Sequence, residues 1–163
     1  MSTTLYSGLE GVAVTETRLS QILGEEGELL IQGVPIDELA DNASYEEAAF
    51  FLLNGKLPTA EETDDFRSKL ASQRHICDEV KAVLRRAARE EKPAMDALRM
   101  GVAATNLGVG EQDLRGDVHR VIAVFPTIVA TYWRYRQGKE PVAPRDDLRH
   151  AANFLYMLTG EEP

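Results

Sequence analysis

The stretch Ser44–Thr59, Ser-Tyr-Glu-Glu-Ala-Ala-Phe-Phe-Leu-Leu-Asn-Gly-Lys-Leu-Pro-Thr, predicts a helix whose two ends are both specified by the sequence. Ser44 is typical of an N-cap, and Glu47 three residues later completes a capping box. Gly55 accommodates the left-handed backbone that ends many helices, and the proline three residues later prevents the helix from resuming. These signals predict a helix over residues 45–54.

Signals of the same kind predict six further helices along the chain. A second capping box begins at Thr59, and Pro35 and Pro93 stand where prolines commonly start a helix. Apolar residues at three-and-four spacing support the remaining helices, and Gly138 and Gly160 follow the ends of the last two. The predicted ranges are 36–40, 60–72, 78–90, 94–106, 113 or 117 to 137, and 146–158.

Only residues 8–31 have the character of β-structure. The apolar segments Leu19–Ile22 and Leu29–Ile31 flank Gly24–Gly27, a pair of glycines that suits a hairpin turn, and Val12–Val14 is a third short apolar segment. The predicted fold is therefore mainly all-α. It is a single domain over residues 1–163, with a short N-terminal β-hairpin at 8–31 and a helical part at 36–158.

Composition excludes several classes of function. The chain has 163 residues, 44% of them hydrophobic, and a formal net charge of −9. Nucleic acids and anionic membranes need a basic surface, so we expect neither as a partner. No apolar run is long enough to cross a membrane, and no secretory signal is expected. Cys77 is the only cysteine; we interpret it as a small core residue in a cytoplasmic protein.

Two helices have two non-polar sides. The longest helix carries a strip of small residues, Ala123, Thr127 and Ala130, opposite its large apolar residues. Pro126 in its interior is expected to kink it. The helix over 94–106 is also apolar or small around much of its circumference. Such helices are either central in a core or shared with another subunit. The large apolar stripe of the longest helix is Leu114, Val118, Val121, Ile122, Phe125, Ile128, Val129, Tyr132 and Trp133.

No catalytic group emerges from the residues themselves. His75 follows a polar helix and is expected at the surface, His119 lies opposite an apolar stripe, and His150 is interpreted as structural. No histidine and acid share metal-ligand spacing, and neither glycine-rich piece has the features of a phosphate loop. The arginines at 85, 86 and 89 are expected to pair with Glu90 and Glu91. No catalytic, cofactor-binding or metal-binding residue is assigned.

Several motifs in order resemble the citrate synthase family. The Ser44–Thr59 stretch and Asn153–Leu158, Asn-Phe-Leu-Tyr-Met-Leu, are its most specific matches. Others are Gly8–Val12 with Glu16-Thr17, Gly33–Ala40, Pro93–Arg99, and Phe125-Pro126 with Arg134–Gly138. Gln32, Val34-Pro35 and Ala94 depart from the family pattern. The resemblance covers the whole chain and corresponds to the N-terminal part of the family's large helical domain.

The resemblance implies a function and a dimer. Citrate synthases condense acetyl-CoA with oxaloacetate, using two histidines and an aspartate that the family places after the Asn153–Leu158 segment. None of these residues can be assigned here, so the chain alone is expected to be inactive. The family's dimer interface would use helices 94–106 and 117–137, whose exposed large side chains would otherwise forfeit roughly 1.5–3 kcal/mol each. The expected interface residues are Met95, Leu98, Val102, Val121, Phe125 and Val129.

The resemblance also leaves alternatives open. The partner would be a second copy, a full-length synthase, or the missing C-terminal portion; acetyl-CoA and oxaloacetate would bind only in the complete enzyme. The family is not expected to need a cofactor. A 2-methylcitrate synthase acting on propionyl-CoA fits the same residues. The chain could instead be a non-catalytic helical dimerisation module.

Overall fold

A computed structural model describes residue 8 and residues 12–13, 15–105 and 114–163, with the side chains of residues 114 and 115 left out. The chain forms two compact units, one up to Leu57 and one from Pro58 onward. In this described part, three strands precede seven helices. The prediction of a mainly helical fold with a short N-terminal hairpin is confirmed.

The first unit contains a three-stranded antiparallel sheet in the order β1-β2-β3. Strand β1 (Ser20–Leu23) pairs with β2 (Glu28–Ile31), with Leu23 opposite Glu28. This is the predicted hairpin around the two glycines. Strand β3 (Val34–Pro35), which was not predicted, pairs with β2. The predicted apolar segment 12–14 lies partly outside the described residues, at Val14.

The turn between β2 and β3 is made by Gln32 and Gly33, both at positive φ (49° and 86°). Two successive residues of positive φ give the backbone twist that tight hairpins favour. The Gln32 side chain donates from Nε2 to the carbonyls of Phe51 (2.9 Å) and Leu52 (3.0 Å). A residue that departs from the family pattern therefore satisfies carbonyls near the end of a helix.

Two helices complete the first unit. Helix α1 (Ile36–Asn42) runs two residues beyond the predicted end, and α2 (Tyr45–Asn54) has the predicted bounds. The capping box of α2 is present: the Glu47 amide donates to Ser44 Oγ (3.3 Å) and the Ser44 amide donates to Glu47 Oε2 (2.8 Å). The C-cap Gly55 has φ 74°, the left-handed conformation expected there.

The second unit is helical throughout its described part. Its core brings together side chains from three of its helices and from the residues just before the first of those three. The helices are α3 (Ala60–Ser72), α4 (Asp78–Arg89), α5 (Ala94–Ala104), α6 (Leu114–Arg136) and α7 (His150–Thr159). The buried core cluster consists of Ile76, Val80, Leu84, Ala87, Ala88, Ala97, Val124, Ile128 and Tyr132.

The limits of these helices agree with the sequence to different degrees. Helix α3 has the predicted bounds and the predicted capping box from Thr59 to Glu62. Helix α4 ends one residue early. Helix α5 ends at Ala104, and its predicted last residue, Asn106, lies outside the described residues, as do Gly108 and Asp113.

Gly101 allows α5 to lie close to α4 and α6. A Cβ at this position would stand 2.7 Å from Cγ2 of Ile128 and 3.2 Å from Cδ2 of Leu84. Any larger side chain would force one of these helices away, and both neighbours are fully buried. The glycine therefore fixes the spacing of three helices.

Helix α6 has the predicted length, and both of its predicted non-polar sides contribute buried residues. The strip of small residues is buried: Ala123, Thr127 and Ala130 are 1–3% exposed. Of the large apolar residues, Val118 and Trp133 are 38% and 47% exposed. Close helix packing favours small side chains, and Ile128 and Tyr132 of the large apolar stripe are buried as well. Pro126 lies inside the helix, as expected.

Helix α7 begins four residues later than predicted, at His150. The segment before it is not helical. The amide of Arg145 donates to Oδ1 of the buried Asn153 (2.8 Å), and the backbone of Arg149 is extended. The buried side chain of Arg74 donates to the carbonyl of Arg145. These long-range bonds hold residues 145–149 in a non-helical conformation that local sequence signals do not reveal.

The interpretation of Cys77 as a core residue is wrong. From residue 74 to residue 77, buried and exposed side chains alternate, and Cys77 is exposed beside the buried Ile76. Alternation is the behaviour of extended chain, and Cys77 has extended backbone as the N-cap of α4. An adjacent apolar residue therefore does not indicate burial here.

Candidate functional site

The α5 residues predicted for an interface are less buried than Ala97 and Gly101 on the same helix. Met95 is 67% exposed. Leu98 and Val102 are half-buried and pack at the edge of the core cluster. The outer side of α5 therefore presents apolar surface to its surroundings.

Helix α6 has a similar row of partly exposed apolar residues. Val121, Phe125 and Val129, four residues apart, are all half-buried. Phe125 also packs against the core cluster. Together with Met95, Leu98 and Val102 these residues form what we call the outer apolar face. It leaves large side chains partly in contact with water on two helices that pack against each other.

The three histidines are not brought together as a catalytic group. His75 is exposed, as predicted, and His150 is 5% exposed at the start of α7, which agrees with a structural role. The ring of His119 lies edge-on to the buried Phe66, with their centroids 5.3 Å apart. Across the described residues, no group of three histidines, cysteines or acids is placed to hold a metal ion.

The arginines of α4 pair differently from the prediction. Arg86 pairs with Glu90, as expected. Arg85 instead donates to Glu140 and to the hydroxyl of Tyr135, at 3.1 Å each, and its guanidinium lies 4.8 Å from the Tyr135 ring centre. We expected Glu91 to pair with an arginine of α4, but it pairs instead with Arg136 of α6 at 3.1 Å.

Charged side chains also hold the segment before α7. Arg145 binds Asp147 at 2.5 Å and also binds Glu162, and it lies 5.6 Å from the ring centre of Tyr156. Hydrogen bonding from Arg145 lowers the pKa of Asp147, and Asp147 and Glu162 raise the pKa of Arg145. The pKa of Asp78 is lowered in the same way by Lys81.

A cavity of about 340 Å³ opens beside α6 in the second unit. Three hydroxyl-bearing residues of α6, each four apart, line it: Thr127, Thr131 and Tyr135. Basic side chains and a proline-rich wall surround them. The other lining residues are His75, Ile76, Lys81, Arg85, Glu140, Pro141, Val142, Ala143 and Pro144.

The cavity was not predicted from the sequence, although the spacing of hydroxyl-bearing residues is a signal for it. Threonine at 127 was interpreted only as a small residue of an apolar strip. Hydroxyls at i, i+4 and i+8 lie along one side of a helix. Thr127, Thr131 and Tyr135 follow that spacing. The long-range approach of residues 140–144, which closes the cavity, has no local signal.

No helix within the described ranges combines the length and apolar character required to cross a bilayer.

Solved structures match this architecture closely. A citrate synthase from Pyrobaculum aerophilum superimposes with a TM-score of 0.85 and 38% identity, covering 95% of this chain and 42% of that one. The ternary complex of carboxymethyl coenzyme A and oxaloacetate with citrate synthase from the thermophilic archaeon Thermoplasma acidophilum gives 0.85 and 25%, covering 96% and 43%. The fold is the helical fold of the citrate synthases.

Sequence comparisons agree. A family model described as "Citrate synthase, C-terminal domain" matches residues 8–163. A citrate synthase from Haloferax volcanii is 42% identical, covering all of this chain and 45% of the relative. A 2-methylcitrate synthase from Mycobacterium tuberculosis is 35% identical, with 98% and 41% covered. The chain belongs to the citrate synthase family, and it spans less than half the length of these relatives.

Proposed function

We propose that this chain forms the N-terminal, interface-bearing portion of a citrate synthase. The complete enzyme would condense acetyl-CoA with oxaloacetate to give citrate and CoA in the citric acid cycle. The observation that carries the proposal is the family match over residues 8–163, together with 42% identity to a citrate synthase of more than twice the matched length. The order of the motifs supports placement in the N-terminal part.

In this proposal the chain supplies scaffold, and the chemistry depends on residues outside it. Proton abstraction from acetyl-CoA requires a carboxylate, and the developing enolate requires a hydrogen-bond donor near the reacting atoms. Of the histidines, His75 is exposed, His119 lies edge-on to Phe66, and His150 is buried at the start of α7. The chain alone is therefore expected to lack the activity, and acetyl-CoA and oxaloacetate would bind in the complete enzyme.

The outer apolar face would be the site of subunit contact, in a homodimer or with a full-length synthase. Half-exposed Leu98, Val102 and Phe125 already touch the core, so a partner would complete their burial. Covering such side chains contributes about 25 cal/mol for each Å² of apolar surface removed from water. The proposal also includes a single domain over residues 1–163 and a cytoplasmic location.

An activity assay tests the proposed function. The purified chain should release no thiol from acetyl-CoA in response to oxaloacetate. Mixing it with the C-terminal portion of a homologous synthase, expressed separately, should produce oxaloacetate-dependent release. The C-terminal portion alone is the control. Oxaloacetate-dependent activity of the 163-residue chain by itself would contradict the proposal that the chemistry lies elsewhere.

The likeness to 2-methylcitrate synthase supports a second candidate function. The reconstituted enzyme would then prefer propionyl-CoA. Comparing kcat/KM for acetyl-CoA and propionyl-CoA in an enzyme that carries this chain distinguishes the two candidates. A reconstituted protein that turns over neither substrate would instead favour a non-catalytic dimerisation module.

A further inference from the structure

We propose that the cavity lined by Thr127, Thr131 and Tyr135 is a binding site for a small organic carboxylate, separate from the outer apolar face. The cavity measures about 340 Å³, within the range of small-molecule sites. It lies within the second unit, between α6, the start of α4 and residues 140–144. The site goes beyond the proposed citrate synthase function and does not depend on it.

The three hydroxyls show where a ligand would bind. Thr127 donates its hydroxyl to the carbonyl of Arg74 (2.8 Å), and the Tyr135 hydroxyl accepts from Arg85 (3.1 Å). Thr131 stands between them, is 3% exposed, and makes no side-chain hydrogen bond with another described residue. The Thr131 hydroxyl lines the cavity, so a ligand oxygen there could accept a hydrogen bond from it.

The charges of the lining favour a single negative charge. Lys81 and Arg85 are cationic, and Glu140 is the one carboxylate among the lining residues, which leaves an excess of one positive charge. Lys81 also binds Asp78 at 2.9 Å, but Asp78 is 92% exposed and is not part of the lining. Arg85 uses Nη2 for Tyr135 and Glu140, so its other N–H groups remain for a carboxylate.

The remaining wall favours an apolar body on that carboxylate. Ile76, which is 7% exposed, and residues 141–144, Pro-Val-Ala-Pro, also line the cavity and supply much of its apolar surface. Prolines restrict the backbone, so this wall is formed before a ligand arrives. A flat or branched hydrocarbon would rest on it while the carboxylate met Thr131 and Arg85.

Benzoate is the probe for the test, and benzyl alcohol is its uncharged control. Titration of the full 163-residue chain, followed by NMR of the Thr131 and Ile76 methyl groups, should give saturable shifts with benzoate. Thr131→Val keeps the shape and removes the hydroxyl, and Arg85→Gln removes the charge. Each should weaken benzoate binding by about tenfold, as expected for a lost hydrogen bond to a charged group.

Matched variants separate a site from general charge attraction. Arg86→Gln removes a neighbouring charge that is 77% exposed and lies outside the cavity, and it should leave benzoate affinity unchanged. Thr131→Ser should restore binding lost in Thr131→Val. Circular dichroism of each variant verifies the fold. Equal shifts with benzyl alcohol, no saturable shift with benzoate, or equal effects of the changes at 85 and 86 would each overturn the proposal.

Discussion

The inner and outer sides of α6 differ in the size of their residues and in how far those residues are buried. On the inner side, Ala123 and Ala130 are almost completely covered although they are small. On the outer side, Phe125 and Val129 are large and yet only half-covered. Small side chains let helices approach closely, whereas large apolar side chains left at the surface need a partner from outside the unit. In the proposed assembly, the inner residues maintain the fold and the outer ones contact a partner.

Adjacent residues on α6 give the most direct contrast, and the largest expected effect. Ile128 is fully buried, and Val129 is half-buried. Ile128→Ala should lower the free energy of unfolding by about 2–5 kcal/mol, because it leaves a cavity in the core. Val129→Ala should cost only about 1 kcal/mol. Urea unfolding followed by circular dichroism measures both, and equal losses would remove the distinction between the two sides.

Gly101 tests the close approach on the inner side. The methyl group of Gly101→Ala would meet Ile128, and overpacking of this kind costs about 1–3 kcal/mol, partly offset by the better helix propensity of alanine. We expect a net decrease in thermal stability. Met100→Ala on the same helix, at a residue 36% exposed, is the matched control. A stabilised Gly101→Ala variant would show that α5 and α6 are less tightly packed than described.

The capping box of α3 lies outside α6, and we expect it to contribute less to stability than the core residues. Thr59 Oγ1 accepts from the Glu62 amide at 3.2 Å. Thr59→Ala should lower stability by about 1 kcal/mol, while Thr59→Ser retains the cap and should behave like the wild type. Denaturant midpoints of the three proteins measure this. Identical midpoints would show that the cap contributes nothing measurable.

The ion pair between Arg145 and Asp147 gives the smallest expected effect, and it depends on pH. Because the pKa of Asp147 is lowered in the folded state, its carboxylate stabilises the fold above the unfolded pKa of about 4. That contribution is lost as the pH falls through the lower, folded pKa. Asp147→Asn should therefore melt below the wild type at pH 7, and the difference should close under acid. A constant difference from pH 7 to about pH 2 would contradict this account.

Much of the fold could be predicted from local signals. The helices at 45–54 and 60–72 have the predicted bounds because capping residues and turn residues specify their ends within a few positions. The start of α7 could not be predicted, because Asn153 and Arg74 act on residue 145 from elsewhere in the chain. Strand β3 was missed for a different reason, the weakness of its local turn signal. Gln-Gly is a weaker turn signal than Asn-Gly.

The candidate sites, like the fold, could be predicted in part from local sequence patterns. Helical periodicity identified large apolar residues on α5 and α6, and the structure leaves the six named ones at least partly exposed. Periodicity indicated two non-polar sides on α6, but it did not show that the small residues at 123, 127 and 130 are almost completely buried. The cavity depends on residues more than 60 positions apart in sequence, such as Ile76 and Pro144, and no local pattern brings these together.

Subunit contact through the outer apolar face is tested most directly by the solution mass of the chain, measured by light scattering. The account predicts about twice the monomer mass of 18.1 kDa for the wild type. Met95→Asp, at a residue 67% exposed, should shift the mass to that of a monomer without loss of fold. Met100→Asp, on the same helix but outside the proposed interface, should remain a dimer. A monomeric wild type, or a dimer that Met95→Asp and Phe125→Asp both leave intact, would contradict it.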